Sequence, residues 1–99
     1  MTLKVEISRD ASKRLVLSIN KVPKNEYQSL SIKIEKEFNL EKIGPLTKGM
    51  DEEFQKYTDG NSNLSIDWDI WSGFSVTAED EKAEALLIKI EKYLKEHMS

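Results

Sequence analysis

A chain of 99 residues with 38% apolar content and a net charge of −3 suits a single domain, large enough to close one core without staples. It has no cysteine, which excludes disulfides and thiolate metal sites, and a pI near 5.2 argues against general nucleic-acid binding. The charge is uneven: Met50 to Glu81 holds nine carboxylates, one lysine (Lys56) and both tryptophans, whereas the first fifty residues carry ten Lys/Arg against six Asp/Glu. An acidic middle of this kind attracts a cationic partner.

The opening residues Met1 to Asp10 lack a basic stretch leading into an apolar run, so they do not read as a secretory leader, and a cytoplasmic location is expected. Leu3, Val5 and Ile7 alternate with polar residues, as in a half-buried strand. Asp10 to Lys13 reads as a turn, and Leu15, Leu17 and Ile19 alternate again, predicting a hairpin. Asn25 is the expected N-cap of a helix with Glu26 in its first turn. Tyr27, Leu30, Ile34 and Phe38 form its apolar stripe. Leu30, Ile32 and Ile34 also alternate as a strand would, but the charged run Glu35-Lys36-Glu37 and the continued stripe favour helix.

Asn39 to Met50 contains Gly44-Pro45 and Gly49 and predicts an exposed loop. Glu53 to Tyr57 reads as a short strand, and Asp59 to Asn63 as a polar turn. Leu64, Ile66, Trp68 and Ile70 then share one strand face, with Ser65, Asp67, Asp69 and Trp71 on the other. Ser72-Gly73 turns the chain into a strand with Phe74 and Val76. Thr77 to Asp80 matches a capping box, and Glu79, Asp80 and Glu81 suit the positive end of a helix dipole. Ala83, Leu86, Leu87, Ile90, Tyr93 and Leu94 make the final helical stripe. The predicted class is therefore α+β: an antiparallel sheet of four to five strands with two amphipathic helices on one face, in the order β-β-α-β-β-β-α, as a single domain over residues 1–99. One sheet face is left open. The longest apolar run, Ala85 to Ile88, is too short to span a bilayer, so no membrane partner is expected.

Few groups offer chemistry. The lone histidine, His97, sits near a helix end, where a basic residue suits the dipole. Asp67 and Asp69 project from one strand face about 6–7 Å apart, a spacing open to acid–base work, to a solvated face or to a partner-binding face. Asp59-x-Asn61-x-Asn63 begins like a calcium loop, but Leu64 stands where glycine is needed and Ile70 where a glutamate is needed. Gly44 and Gly49 have phosphate-loop spacing, but Met50-Asp51 follow in place of Lys-Ser/Thr. No metal, cofactor or enzymatic activity is expected. Trp71 either stands exposed among carboxylates, as a binding hot spot would, or folds over the Ser72-Gly73 turn to cover the sheet edge.

The run Trp68-Asp69-Ile70-Trp71-Ser72-Gly73-Phe74-Ser75-Val76-Thr77-Ala78, with the capped helix to Tyr93, resembles small bacterial immunity proteins that neutralise polymorphic toxins such as contact-dependent growth inhibition effectors. The resemblance covers about the last third of the chain and rests on a tryptophan–glycine hairpin and a helix. It implies an inhibitor that presents carboxylates to a cationic, nuclease-like toxin domain. Charge and strand parity then assign Asp67, Asp69 and Trp71 to the contact, with Asp51, Glu52, Glu53 and Asp59 as steering charges. The rival expectation is a homo-oligomeric adaptor that pairs with a second copy through its open sheet or edge strand. A nucleic-acid regulator using the basic amino half is disfavoured, because those charges are scattered among acids without an aromatic platform.

Overall fold

A computed structural model describes residues 4–98. Leu3, expected in the first strand, lies outside the described residues. The elements are β1 (Val5–Arg9), β2 (Leu15–Ile19), α1 (Lys24–Glu37), β3 (Glu41–Lys48), β4 (Glu52–Thr58), β5 (Asn63–Asp69), β6 (Gly73–Ala78) and α2 (Lys82–Met98). The class is α+β, and the strands form one six-stranded sheet in the order β1-β2-β6-β5-β4-β3 with antiparallel pairing throughout.

The extra strand is β3, where the glycines and proline predict a loop. Its pairing with β4 is interrupted: Ile43 faces Lys56 and Thr47 faces Phe54, with a register shift between. Gly44, at a φ of 71°, supplies a backbone conformation that residues with a Cβ rarely adopt. The buried Gln55 amide donates to the carbonyls of Ile43 and Gly44 at 3.3 and 3.2 Å. A side chain from the neighbouring strand thus satisfies carbonyls that the bulge withdraws from the ladder.

α1 carries the chain from β2 to the far edge, and β3 to β6 return as a meander that docks β6 on β2. The N-cap of α1 is Pro23, not Asn25, and no side chain caps it; the extended Pro23 offers its carbonyl to the Tyr27 amide at 3.0 Å as the first bond of the helix. At the other end Asn39 is left-handed at a φ of 53°. The amides of Asn39 and Leu40 bond back to the carbonyls of Lys36 and Glu35, closing a Schellman motif. The predicted stripe holds, with Tyr27, Leu30 and Ile34 buried and Ile32 exposed. The side-chain cap of α2 is Asp80, whose Oδ1 accepts the Ala83 amide at 2.9 Å while Oδ2 accepts the Asn63 amide at 3.0 Å. Thr77, the expected cap, remains inside β6 because its backbone pairs with both Ser65 and Val16.

Both helices bury their stripes in a single cluster with Leu15, Leu17 and Ile19 of β2, Phe74 and Val76 of β6, and Leu64, Ile66 and Trp68 of β5. The Trp68 indole N–H donates to the Val22 carbonyl at 2.6 Å, and the Tyr27 hydroxyl donates to the Ile66 carbonyl at 3.2 Å. The opposite sheet face carries Ser18, Ser75, Thr77, Ser65, Asp67 and Lys56, with no helix over it.

Gly73 opens β6 where the sheet meets the loop between β2 and α1. Its φ is 78°, and a Cβ there would lie 2.6 Å from the Ile19 carbonyl and 2.9 Å from the Lys21 amide nitrogen. Gly60 also has positive φ, but nothing lies within 4 Å of such a Cβ. In urea unfolding, Gly73→Ala is expected to cost about 2 kcal/mol or more and Gly60→Ala about 1 kcal/mol. Equal losses would show that the close approach contributes nothing beyond backbone strain.

Candidate protein-binding surface

Alternation along β5 sends Leu64, Ile66 and Trp68 inward and Ser65, Asp67 and Asp69 to the open face. The strand stops at Asp69, so Ile70 is not a core residue as the sequence pattern predicts; it is 57% exposed. The stop has a local cause. The Asp69 carboxylate accepts the amides of Trp71 and Ser72 at 2.9 and 2.6 Å, folding the chain back before the alternation can continue. Trp71 consequently projects from the turn, 81% exposed, and does not fold back over the sheet edge.

The turn between β3 and β4 lies beside this one. Gly49 donates its amide to the Glu52 carbonyl at 2.8 Å, and the Ile70 amide reaches across to the Asp51 carbonyl at 2.9 Å. The Lys24 ammonium holds the Gly49 carbonyl at 3.2 Å from the start of α1. Met50, 91% exposed, therefore joins Ile70 and Trp71 at one end of the sheet. Glu52 sits directly opposite Asp69 on the neighbouring strand, and Asp51 is next to it in the turn. Among the described residues, no ion pair engages Asp51, Glu52, Asp67 or Asp69. Other acids are occupied: Glu79 pairs with Arg14 at 2.9 Å, and Glu84 with Arg9 at 2.8 Å.

Of the seven residues singled out from the sequence, Asp51, Glu52, Asp69 and Trp71 converge on this tip, and Asp67 lies farther along the same open face. Glu53 and Asp59 do not join them. Glu53 points to the helix-covered face, 3% exposed, where the Gln28 amide donates to it at 3.2 Å and the Lys24 ammonium lies at 3.8 Å. Asp59 occupies the turn at the other end of β4, about 20 Å away by strand rise. Its carboxylate accepts the amides of Asn61 and Ser62, which hold its pKa below the ordinary carboxylate value. Met50, Ile70 and Phe54 were not singled out from the sequence. The Asp69–Ser72–Gly73 spacing was the available signal that the strand ends early and releases Ile70.

Asp67 is partly buried between Phe54 and Ser75, its direct neighbours on β4 and β6. The Ser65 hydroxyl donates to it at 3.0 Å. Burial dominates and, with the nearby Glu79 charge, pushes its pKa up to about 6, against the opposing help of the Ser65 hydroxyl, the Gln55 amide and the Arg14 charge. His97 is exposed and rests on the Tyr93 ring, with centroids 4.5 Å apart. Among the described residues, no group of three or more His, Cys, Asp or Glu side chains is placed to hold a metal ion. Nor, among the described residues, is any helix long and apolar enough to cross a membrane.

No protein-family model, curated protein or solved structure matches this chain. The chemistry of the surface must therefore be read from its own residues. They form an apolar knob with a carboxylate collar, set on a polar sheet face.

The Asp67 carboxylate also gives stability a pH signature. The folded chain holds this proton more tightly than the unfolded chain does. Its effect is therefore absent below the ordinary value of 3.8 and grows as a loss of stability up to about pH 6. The loss is at most about 3 kcal/mol. Asp10 and Asp59, whose pKa values are lowered, act in the opposite sense below that window, and Glu84, lowered from 4.5, overlaps only its acid end. Asp67→Asn is expected to flatten the decline between pH 4 and 6 in urea titrations and to be about 1–2 kcal/mol more stable than the parent at pH 7. A decline that persists in this variant would place its origin elsewhere.

Proposed function

We propose that this chain is a cytoplasmic inhibitor of the immunity type, which neutralises a cationic, nuclease-like toxin domain by covering it and performs no chemistry of its own. The observation that carries the reading is the tip, where exposed Met50, Ile70 and Trp71 stand inside a collar of Asp51, Glu52 and Asp69 that no ion pair among the described residues engages. Large apolar side chains gathered at one point of a surface mark an interaction site, and tryptophan is enriched among residues that dominate binding energy. The carboxylates contribute differently. They steer a basic partner and speed encounter, which matters when a toxin must be trapped before it acts. Against a nuclease they would also occupy the lysines and arginines that otherwise grip phosphate.

The rival reading is self-association through the open sheet or an edge strand; of the two edges, β1 and β3, it is β3 that opposes pairing. Its ladder is broken by a bulge, and Pro45 has no amide hydrogen to offer a neighbouring strand. The tip remains open to a second copy, so solution mass discriminates. A monomer at micromolar concentration is expected.

The functional test starts at the adjacent reading frame, which should encode a large secreted protein ending in a toxic domain. Co-expression of this chain with that domain is expected to restore growth. Trp71→Ala should weaken the complex by about 2 kcal/mol, mostly through faster dissociation. Asp51→Lys with Glu52→Lys should slow association about tenfold and reduce its salt dependence. Full protection and unchanged affinity in all these variants would remove the tip from the interface.

A further inference from the structure

Next to the tip, the open face holds a cleft of about 480 Å³ between the bulged edge of β3 and the centre of the sheet. Ile43, Pro45 and Phe54 give it an apolar side, and Ser65, Asp67 and Glu79 a polar one. Glu79 already has its cation in Arg14, at 2.9 Å. Lys56 also lines the cleft, yet no ion pair within 4.0 Å joins it to Asp67. Asp67 is therefore a partly buried carboxylate that accepts from the Ser65 hydroxyl and the Gln55 amide but makes no ion pair within 4.0 Å among the described residues; Arg14, whose charge reaches it, is already paired with Asp10 and Glu79. An anion drawn out of water in this way gains most from an arriving cation, because local screening is weak.

The wall opposite Asp67 decides which cation fits. Phe54 is its direct cross-strand partner, so their Cβ atoms lie about 4.5–5.5 Å apart. The Phe54 ring is 37% exposed and faces the cleft. A planar guanidinium can stack on an aromatic ring while its edge donates two parallel hydrogen bonds to a carboxylate. Ammonium is a compact, strongly hydrated charge and gains less from a half-apolar slot.

We propose that this cleft receives an arginine side chain of the partner, its guanidinium paired with Asp67 and laid against the Phe54 ring. The assignment rests on the reading of this face as the docking surface for a cationic protein, and it names the side chain that surface selects.

The test needs no partner protein. The full chain, labelled with ¹⁵N, is titrated with Nα-acetyl-arginine amide and, in parallel, with the neutral citrulline analogue. The arginine compound is expected to give saturable shifts at the amides of Phe54, Ser65 and Asp67, with a dissociation constant on the order of millimolar. The citrulline analogue should give none. Asp67→Asn should weaken binding at least fivefold and Phe54→Leu at least twofold, while Glu81→Gln leaves it unchanged. Each variant's own amide spectrum reports that it is folded. Equal response to citrulline, no loss in Asp67→Asn, or shifts confined to Asp51, Glu52 and Trp71 would overturn the assignment. Arginine binding in the cleft together with failed protection in co-expression would overturn the toxin reading alone. Protection without cleft binding would overturn the arginine slot alone.

Discussion

β5 must satisfy two environments at once, and that constraint organises the molecule. Its inward residues Leu64, Ile66 and Trp68 are core, and its outward residues Ser65, Asp67 and Asp69 belong to the uncovered face. A slip of one residue would exchange the two sets and put carboxylates beneath the helices. The Trp68 indole bonded to the Val22 carbonyl holds the register, because the donor has one geometry and the acceptor belongs to the loop that starts α1. Tyr27 reinforces it by donating to the Ile66 carbonyl. The helix-covered core thus dictates where the open-face acids stand.

The same strand shows where stability gives way to a surface feature. Asp67 lies beside the apolar wall of Phe54, bonded by the Ser65 hydroxyl and the Gln55 amide but in no ion pair of its own among the described residues, since the nearby Arg14 is held by Asp10 and Glu79. A threonine or serine there would match Ser65, Ser75 and Thr77 around it and avoid the desolvation of a charge. Proteins retain such groups where they meet a ligand, and stability–activity trade-offs of this kind concentrate at binding sites. Asp69 works as structure: it accepts the turn amides of Trp71 and Ser72, ends β5 and aims Trp71 outward.

Much of this was legible in the chain. The alternations of β2 and β5, the turn at Asp10, the α1 stripe and the α2 stripe each follow a period that local sequence states directly. β3 was not legible, because its reason for being a strand lies in another strand. Gln55 of β4 bonds the carbonyls that Gly44-Pro45 would otherwise leave unpaired. Glu53 was misplaced for a related reason. Charge density predicts solvent, whereas the parity of β4 puts Glu53 under α1, where Lys24 and Gln28 meet it. Asp59 belongs to the same acidic stretch, yet β4 carries it to the opposite end of the sheet. Proximity in sequence overstated the size of the acidic patch, and the apolar members Met50 and Ile70 were hidden in positions that read as loop and core.

The edges of the sheet sharpen the case for the tip. An exposed edge strand is a general adhesive, because backbone groups pair with any extended chain. Here the β3 edge is interrupted by a bulge and a proline, so it offers little to an indiscriminate neighbour. On the β3 side of the sheet the features that remain are side chains in fixed positions: the Trp71 knob, the Glu52–Asp69 pair behind it, and the Phe54–Asp67 pair one step farther along the same two strands. Successive same-face positions are spaced about 6–7 Å apart. A partner that engaged all three would need an apolar socket, a basic rim and an arginine in register across roughly 15 Å. Any basic protein can answer the charge, but few can answer that spacing. On the docking surface proposed above, discrimination would reside in the geometry imposed by β4 and β5, and the acidity would mainly set how fast the right partner arrives.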